Sequence, residues 1–265
     1  MSRRNLWISM ILIISLLPSL GAELRVDSVG HARSPSQWSP RLYEVYNHQN
    51  YRDFPPFNDP IDLQAVDYPL INAALFFESN RARVANGLEP LAWNLQLEIT
   101  AYNHSLFMVD QFEFAHYSGD SSRRSPGDRA ALAGVSNPAV QENLGINFAL
   151  DYIENTPYYV HGDGVFSYDN DPDHPLRVLS YAEFAQRAVR LWMQSFSHRR
   201  NLLSENAVQL GTGAFLFRDA NAGYFPKFRT TQNFQWFTDV IPGDSLDPLP
   251  PGYLVGDLEE AGHRD

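Results

Sequence analysis

The chain of 265 residues contains no cysteine. That absence excludes disulfides, thiol catalysis, cysteine-based zinc sites and a lipidated N-terminal cysteine. The fold must therefore rest on its core, and any metal on His, carboxylate or water. Cations are also scarce: 20 Lys and Arg stand against 31 Asp and Glu, a formal net charge of −11. This excludes a nucleic-acid partner, which needs a basic face, and gives no help in holding an anionic membrane. Long apolar runs are confined to Leu6–Leu17, too short for a comfortable span. Arg3 and Arg4 precede this run and the small residues of Ser19-Leu20-Gly21-Ala22 follow it. Residues 1–22 thus read as a cleavable export signal, which predicts a secreted or periplasmic protein without a transmembrane anchor in its mature form. An uncleaved anchor is the alternative.

Hydrophobic residues make up 44% of the chain and aromatics 13%, enough to build a packed core. Residues 23–66 are rich in Pro, Asn, Tyr and Trp, with little periodicity. They read as an extended arm whose aromatics, six of them from Trp38 to Phe57, lie on the domain surface because water would be a costly home for them. A domain over 67–237 follows. Asp67 caps a first helix bearing Leu70, Ala74, Phe77, Arg81 and Val84 at helical spacing, closed by Gly87. Asn94 caps a second, with Leu97, Ala101, Ser105 and Met108 inward. A short helical piece runs from Pro126 to Gly134, and Val140–Asn143 reads as extended.

Within an insertion at about 151–179, Tyr158–His161 and Val165–Tyr168 flank Gly162-Asp163-Gly164, a hairpin signal. Ser180 and Glu183 form a capping box for a helix that turns Phe184, Ala188, Leu191 and Trp192 inward. Leu210–Phe217 and Phe228–Phe237 read as strands, and 238–265 as a loose acidic, Pro-rich tail. Helices followed by antiparallel strands predict an α+β layered domain.

The order of motifs resembles the CAP superfamily, the secreted SCP/PR-1-like domains, in its bacterial form. The resemblance is carried by Asn80–Arg83, Leu91–Asn94, Ala101–Ser105, Phe114–His116, Pro126–Arg129, Glu142–Leu144, Trp192–Leu203, Gly211–Gly213 and Thr231–Phe234. It covers about two thirds of the chain and preserves order, which is more specific than any single piece. It implies an α-β-α sandwich with a central antiparallel sheet. It also implies a cleft in which two histidines and, in many members, two acidic residues hold a divalent ion such as zinc. On this chain His116 and His198 match the histidines, and Glu142 matches the first acid. The slot of the second acid is Ser195, which leaves a three-residue set.

Two imidazoles and one carboxylate would leave zinc an open position for water, the arrangement of catalytic sites. Glu142 could equally be a general base or a buried acceptor, and His116 and His198 could simply hydrogen-bond within a polar cluster. Asn143 is expected to tie neighbouring loops together through its amide. Ser118 and Ser197 lie near the histidines, but no Gly-x-Ser-x-Gly elbow accompanies them. Asp169–Asp173 alternates carboxylates as a calcium loop does, yet His174 stands where Gly is needed and Ser180 where the bidentate Glu should be. A solvated acidic loop, with His161 and His174 exposed, is the plainer reading. Asn103-His104-Ser105 fits a glycosylation pattern but falls inside a helix. The tyrosines of the insertion could wall the cleft, or the hairpin could merely pack on the domain edge.

These features predict a binding protein that engages an extracellular lipid, glycan or protein through the His116/Glu142/His198 cleft, with Asn143 and Ser195 beside it. A metal-assisted hydrolase of peptide, ester or cell-wall material is the first alternative. A structural envelope protein is the second.

Overall fold

A computed structural model describes residues 36–253; the expected export signal, the first part of the arm (23–35) and the end of the acidic tail lie outside the described residues. The first helix, α1 (Tyr68–Ala85), begins where the Asp67 carboxylate accepts from the Leu70 amide at 3.1 Å, with Pro69 in its first turn. Gly87 follows at φ +78°, a left-handed stop that glycine adopts without strain. Ala92–Trp93 (β1) leads to Asn94, which caps α2 (Leu95–Asp110) through the Leu97 amide at 3.0 Å. Ser125 and Asp128 cap α3 (Pro126–Leu132) reciprocally. After β2 (Val140–Phe148), the hairpin forms as β3 (Tyr159–Val160) paired antiparallel with β4 (Phe166–Ser167). The capping box of Ser180 and Glu183 opens α4 (Tyr181–Gln194).

Ser195 then adopts extended dihedrals and breaks the helix before α5 (Phe196–Leu202). His198 consequently lies inside a second short helix, rather than just past the end of the first. The long strands β5 (Ala207–Asp219) and β6 (Phe225–Trp236) are the last regular elements among the described residues.

The main sheet has the order β1-β5-β6-β2. All its pairings are antiparallel except β1 with β5, which is parallel. Alternation along β6 sends Thr230 and Gln232 to one face and Thr231 and Asn233 to the other. On the first face Gln232 donates to the Ser79 hydroxyl of α1 at 2.7 Å; on the second Thr231 meets Ser105 of α2 at 2.9 Å. Helices α1 and α4 thus cover one side of the sheet, and α2 with α3 the other. The α+β class and the α-β-α layering are as the sequence predicts. Gly211 and Gly213 let α2 lie directly on β5, because a Cβ there would overlap the Leu97–Glu98 and Ala101–Tyr102 peptides.

The described part of the arm, from residue 36 to α1, is not extended. It turns through short 3-10 pieces at Pro40–Glu44, Tyr51–Asp53 and Pro55–Asn58, where prolines preset the backbone. Trp38, Tyr51 and Phe57 are fully buried and join the main apolar cluster. Tyr51 stacks on Phe77 at 5.2 Å between ring centroids, and Tyr43 stacks on Trp93 at 4.5 Å. The described part of the tail is also engaged: Val240 packs with Leu97, Ala130 and Val135, and the Asn103 amide donates to Pro248 O at 3.0 Å.

The hairpin packs against the β5–β6 turn, with Phe166 on Phe225 at 4.6 Å and the Tyr158 hydroxyl on Ala222 O at 2.9 Å. Glu142 pairs with Asn233, whereas Phe148 pairs with Lys227 next to that turn. Six residues of strand separate the two ends, about 20 Å. The hairpin therefore caps the far end of the sheet and does not wall the His116 cleft.

Candidate functional site

Glu142 organises the site. On β2 it points to the α2/α3 side, and its side chain is 1% exposed. Such a carboxylate needs partners, because ionised oxygens removed from water are costly. It has them on both oxygens. The Arg129 guanidinium of α3, equally buried, donates to Oε2 at 2.8 Å. His116, on the loop after α2, places Nδ1 at 2.9 Å from Oε1. Arg129 also fastens that loop by donating to the carbonyls of His116 and Arg123, each at 3.1 Å.

Facing a carboxylate, Nδ1 of His116 is the nitrogen that bears the proton in the neutral ring, and it is Nε2 that then carries the lone pair. The imidazole is 46% exposed, and Nε2 has no protein partner among the described residues. His116 is thus a surface base whose orientation is fixed from below.

His198 reaches the site from α5. Burial first, and then repulsion from His116 when that ring is protonated, hold its pKa below the usual histidine value. The backbone around it is tied to β2. Asn143 donates to His198 O at 3.0 Å and to Gln232 Oε1 at 2.9 Å, and Asn201 donates to Asn143 Oδ1 at 3.0 Å and to Glu142 O at 3.2 Å. Ser195 sits at the helix break with its hydroxyl 3.3 Å from that of Ser197.

His104 is the residue that sequence reasoning missed. It lies on α2, 1% exposed, with Nε2 at 3.2 Å from Ala115 O and 3.8 Å from Glu142 Oε1. The Ala115 carbonyl at Nε2 requires the proton there, and Nδ1 is left buried without a partner among the described residues. Burial lowers the pKa to about 4, against the pull of Glu142, so His104 is neutral at physiological pH. A signal was available: residue 104 falls on the same helical face as Ala101, Ser105 and Met108.

Serine chemistry has no footing in this arrangement. Ser118 is buried, its hydroxyl turned to the carbonyls of Asp120 and Arg123 at 3.2 and 3.3 Å. Ser197 has only Ser195 for a neighbour of that kind. The carboxylates of Asp169 and Asp171 both approach the exposed His174 at 3.4 Å.

A metal bound as the sequence suggests would need Glu142 as a ligand. Its Oε2 is occupied by a guanidinium, whose charge opposes a cation, and its Oε1 orients His116. Two imidazoles remain, short of the four ligands that zinc takes. Among the described residues no group of three or more His, Cys, Asp or Glu is placed to hold a metal ion. As arranged, His116, Glu142 and His198 do not fit a zinc centre.

The family model for CAP, the cysteine-rich secretory protein family, matches residues 77–234. The chain belongs to the CAP family. It does so without the cysteines of that description, and its apolar core does the work of holding the layers together. Among solved structures, an extracellular protein containing an SCP domain from Bacillus anthracis str. Ames is 23% identical, with a TM-score of 0.40; the match covers 63% of this chain and 40% of that one. An outer surface protein from Borrelia burgdorferi is 13% identical, with a TM-score of 0.39 and coverage of 68% and 98%. No curated protein matches the chain. The CAP match takes in Glu142, His104, His116, Arg129 and His198, and leaves out the arm before α1. Among the described residues no helix is long and apolar enough to cross a membrane.

Proposed function

We propose that this CAP protein is exported and acts as a binding protein, engaging an extracellular or envelope ligand at the surface formed by His116 and His198. One observation carries the reading: a half-exposed imidazole is held rigidly by Glu142, while Glu142 itself is sealed by Arg129. Rigid polar groups on a packed scaffold suit recognition, because little orientational freedom is lost when the ligand arrives. His116 Nε2 accepts a hydrogen bond from a ligand hydroxyl or amide, and His198, whose helix is tied to β2 beside Glu142 through Asn143 and Asn201, takes a second polar group. The export signal expected at residues 1–22 supports an extracytoplasmic setting.

The test is binding of the mature chain to cell-wall glycan, to zwitterionic and anionic vesicles and, separately, to zinc by calorimetry, beside a His116→Ala/His198→Ala variant. The reading expects one envelope fraction to be retained by the wild type and lost by the variant, with no micromolar zinc affinity. Micromolar zinc binding that vanishes in the variant, or ester or peptide turnover dependent on His116, would replace it with the metal-assisted hydrolase.

A further inference from the structure

On the α2/α3 side of the sheet, Arg229 of β6 shares the face of Thr231 and Asn233, and its register partner on β2 is Ile146. Its guanidinium lies over two rings, Phe114 from the His116 loop and Phe217 from β5, 4.7 Å from each centroid. The turn that delivers Phe114 passes through Phe112 at φ +52°, a left-handed conformation that is costly for a bulky residue.

This cation has no counter-ion. Among the described residues, Arg229 Nε and Nη1 are sealed from solvent and have no hydrogen-bond partner, which leaves Nη2 as the group that reaches outward. The acid whose charge it feels, Asp219, is already engaged: Lys227 donates to Oδ2 at 2.7 Å and the Asn221 amide to Oδ1 at 3.0 Å. Burial works against the charge and lowers the pKa of the guanidinium, yet an arginine does not shed its proton to escape that cost. A half-buried cation is thus kept uncompensated, on a chain where Asp and Glu outnumber Lys and Arg by 31 to 20.

An aromatic ring is negative over its face and positive at its edge. Phe114 and Phe217 turn their faces to the guanidinium, so their positive edges stand beside Nη2. The stack presents an N–H group flanked by C–H edges, which attracts an anion and orients it in the guanidinium plane. Phe114 and His116 are two residues apart on one loop, about 7 Å at most between their Cα atoms. One small ligand reaches both the stack and the exposed imidazole.

We propose that Arg229 is an oxyanion subsite, which seats the carboxylate or phosphate of a small hydroxylated acid while His116 Nε2 takes one of its hydroxyls. The hydroxyl contact rests on the imidazole surface proposed above; the oxyanion contact does not.

The test is an NMR titration of the mature chain with glucuronate, glucose 6-phosphate, neutral glucose and inorganic phosphate. It follows the Arg229 Nε–H resonance, assigned by its loss in Arg229→Lys. At least one sugar acid should move that resonance and bind about tenfold or more tighter than glucose, and the tighter of the two identifies the oxyanion. Added salt should weaken it. Arg229→Gln should weaken it about tenfold and leave glucose unaffected; if that variant does not fold, the wild-type resonance still decides. Acids and glucose bound equally, no binding of any probe, or an unmoved Arg229 resonance overturns the oxyanion subsite. Inorganic phosphate as tight as glucose 6-phosphate, or a His116→Ala variant with unchanged acid affinity, refutes the hydroxyl contact and leaves the oxyanion contact standing.

Discussion

Replacing Arg129 by Met should destabilise the protein by about 3–5 kcal/mol, the usual loss when one member of a buried ion pair is removed. The figure follows from what is left behind. Glu142 Oε2 is fully enclosed and has Arg129 as its hydrogen-bond partner, whereas Oε1 still receives the His116 proton. The carbonyls of His116 and Arg123 also lose a donor, but they belong to a largely exposed loop where water can replace it. The stranded carboxylate therefore dominates. Against a total stability of roughly 5–15 kcal/mol, the loss is large enough to read directly in urea unfolding at constant m. The double variant Arg129→Met/Glu142→Leu removes both charges and should recover most of the deficit. If the two single losses simply add in the double variant, the pair is not coupled, and Glu142 is not held as described.

Two other outcomes follow from the same packing. His104 is held neutral, with its pKa lowered to about 4 from 6.5, so protons bind the unfolded chain first. Its contribution is present above about pH 6.5 and is lost as pH falls towards 4, about 3 kcal/mol in all. His104→Gln should flatten that part of a stability-against-pH curve, and an unchanged slope would contradict the assignment. Gly213→Ala drives a methyl into the Ala101–Tyr102 peptide of α2. It should cost about 1–3 kcal/mol or more, read as a lower thermal midpoint, and a midpoint equal to wild type would mean that α2 does not rest on β5.

Much of the architecture was legible because it is locally encoded. The caps Asp67, Asn94 and Ser180 announce their helices within four residues, and Gly162 to Gly164 announces the β3–β4 turn. Aromatic and Thr-rich alternation marks β5 and β6. Strand β1 was not legible: two residues carry no periodicity, and only its parallel pairing with β5 makes it a strand. The break at Ser195 was equally silent, since no Gly or Pro marks it. At the site, His116, Glu142 and His198 were found through motif order. Their roles were not, because whether a carboxylate ligates a metal or holds an imidazole depends on its other oxygen. That oxygen belongs to Arg129, 13 residues away in sequence, and no spacing rule announces such a contact.

The two buried carboxylates of the α2/α3 side show how far the folding unit extends. Glu142 is compensated by a cation. Glu98, fully buried on α2, is surrounded by neutral donors instead: Tyr43 at 3.1 Å, Trp93 Nε1 at 2.5 Å, Asn72 at 3.4 Å and the Tyr253 hydroxyl. Burial raises its pKa despite these bonds, so ionising it within the fold is costly. Of the four donors, Tyr43 comes from the arm and Tyr253 from the tail, on either side of the stretch that the CAP model matches. Hydrogen bonds to a charged group contribute more than ordinary ones, about 1.5–3 kcal/mol each, and an under-satisfied buried carboxylate would forfeit them. The arm and the described tail are therefore structural parts of the domain. With Trp38, Tyr51 and Phe57 in the main core, a chain trimmed to the CAP match would lose both its aromatic wall and the donors that make Glu98 tolerable.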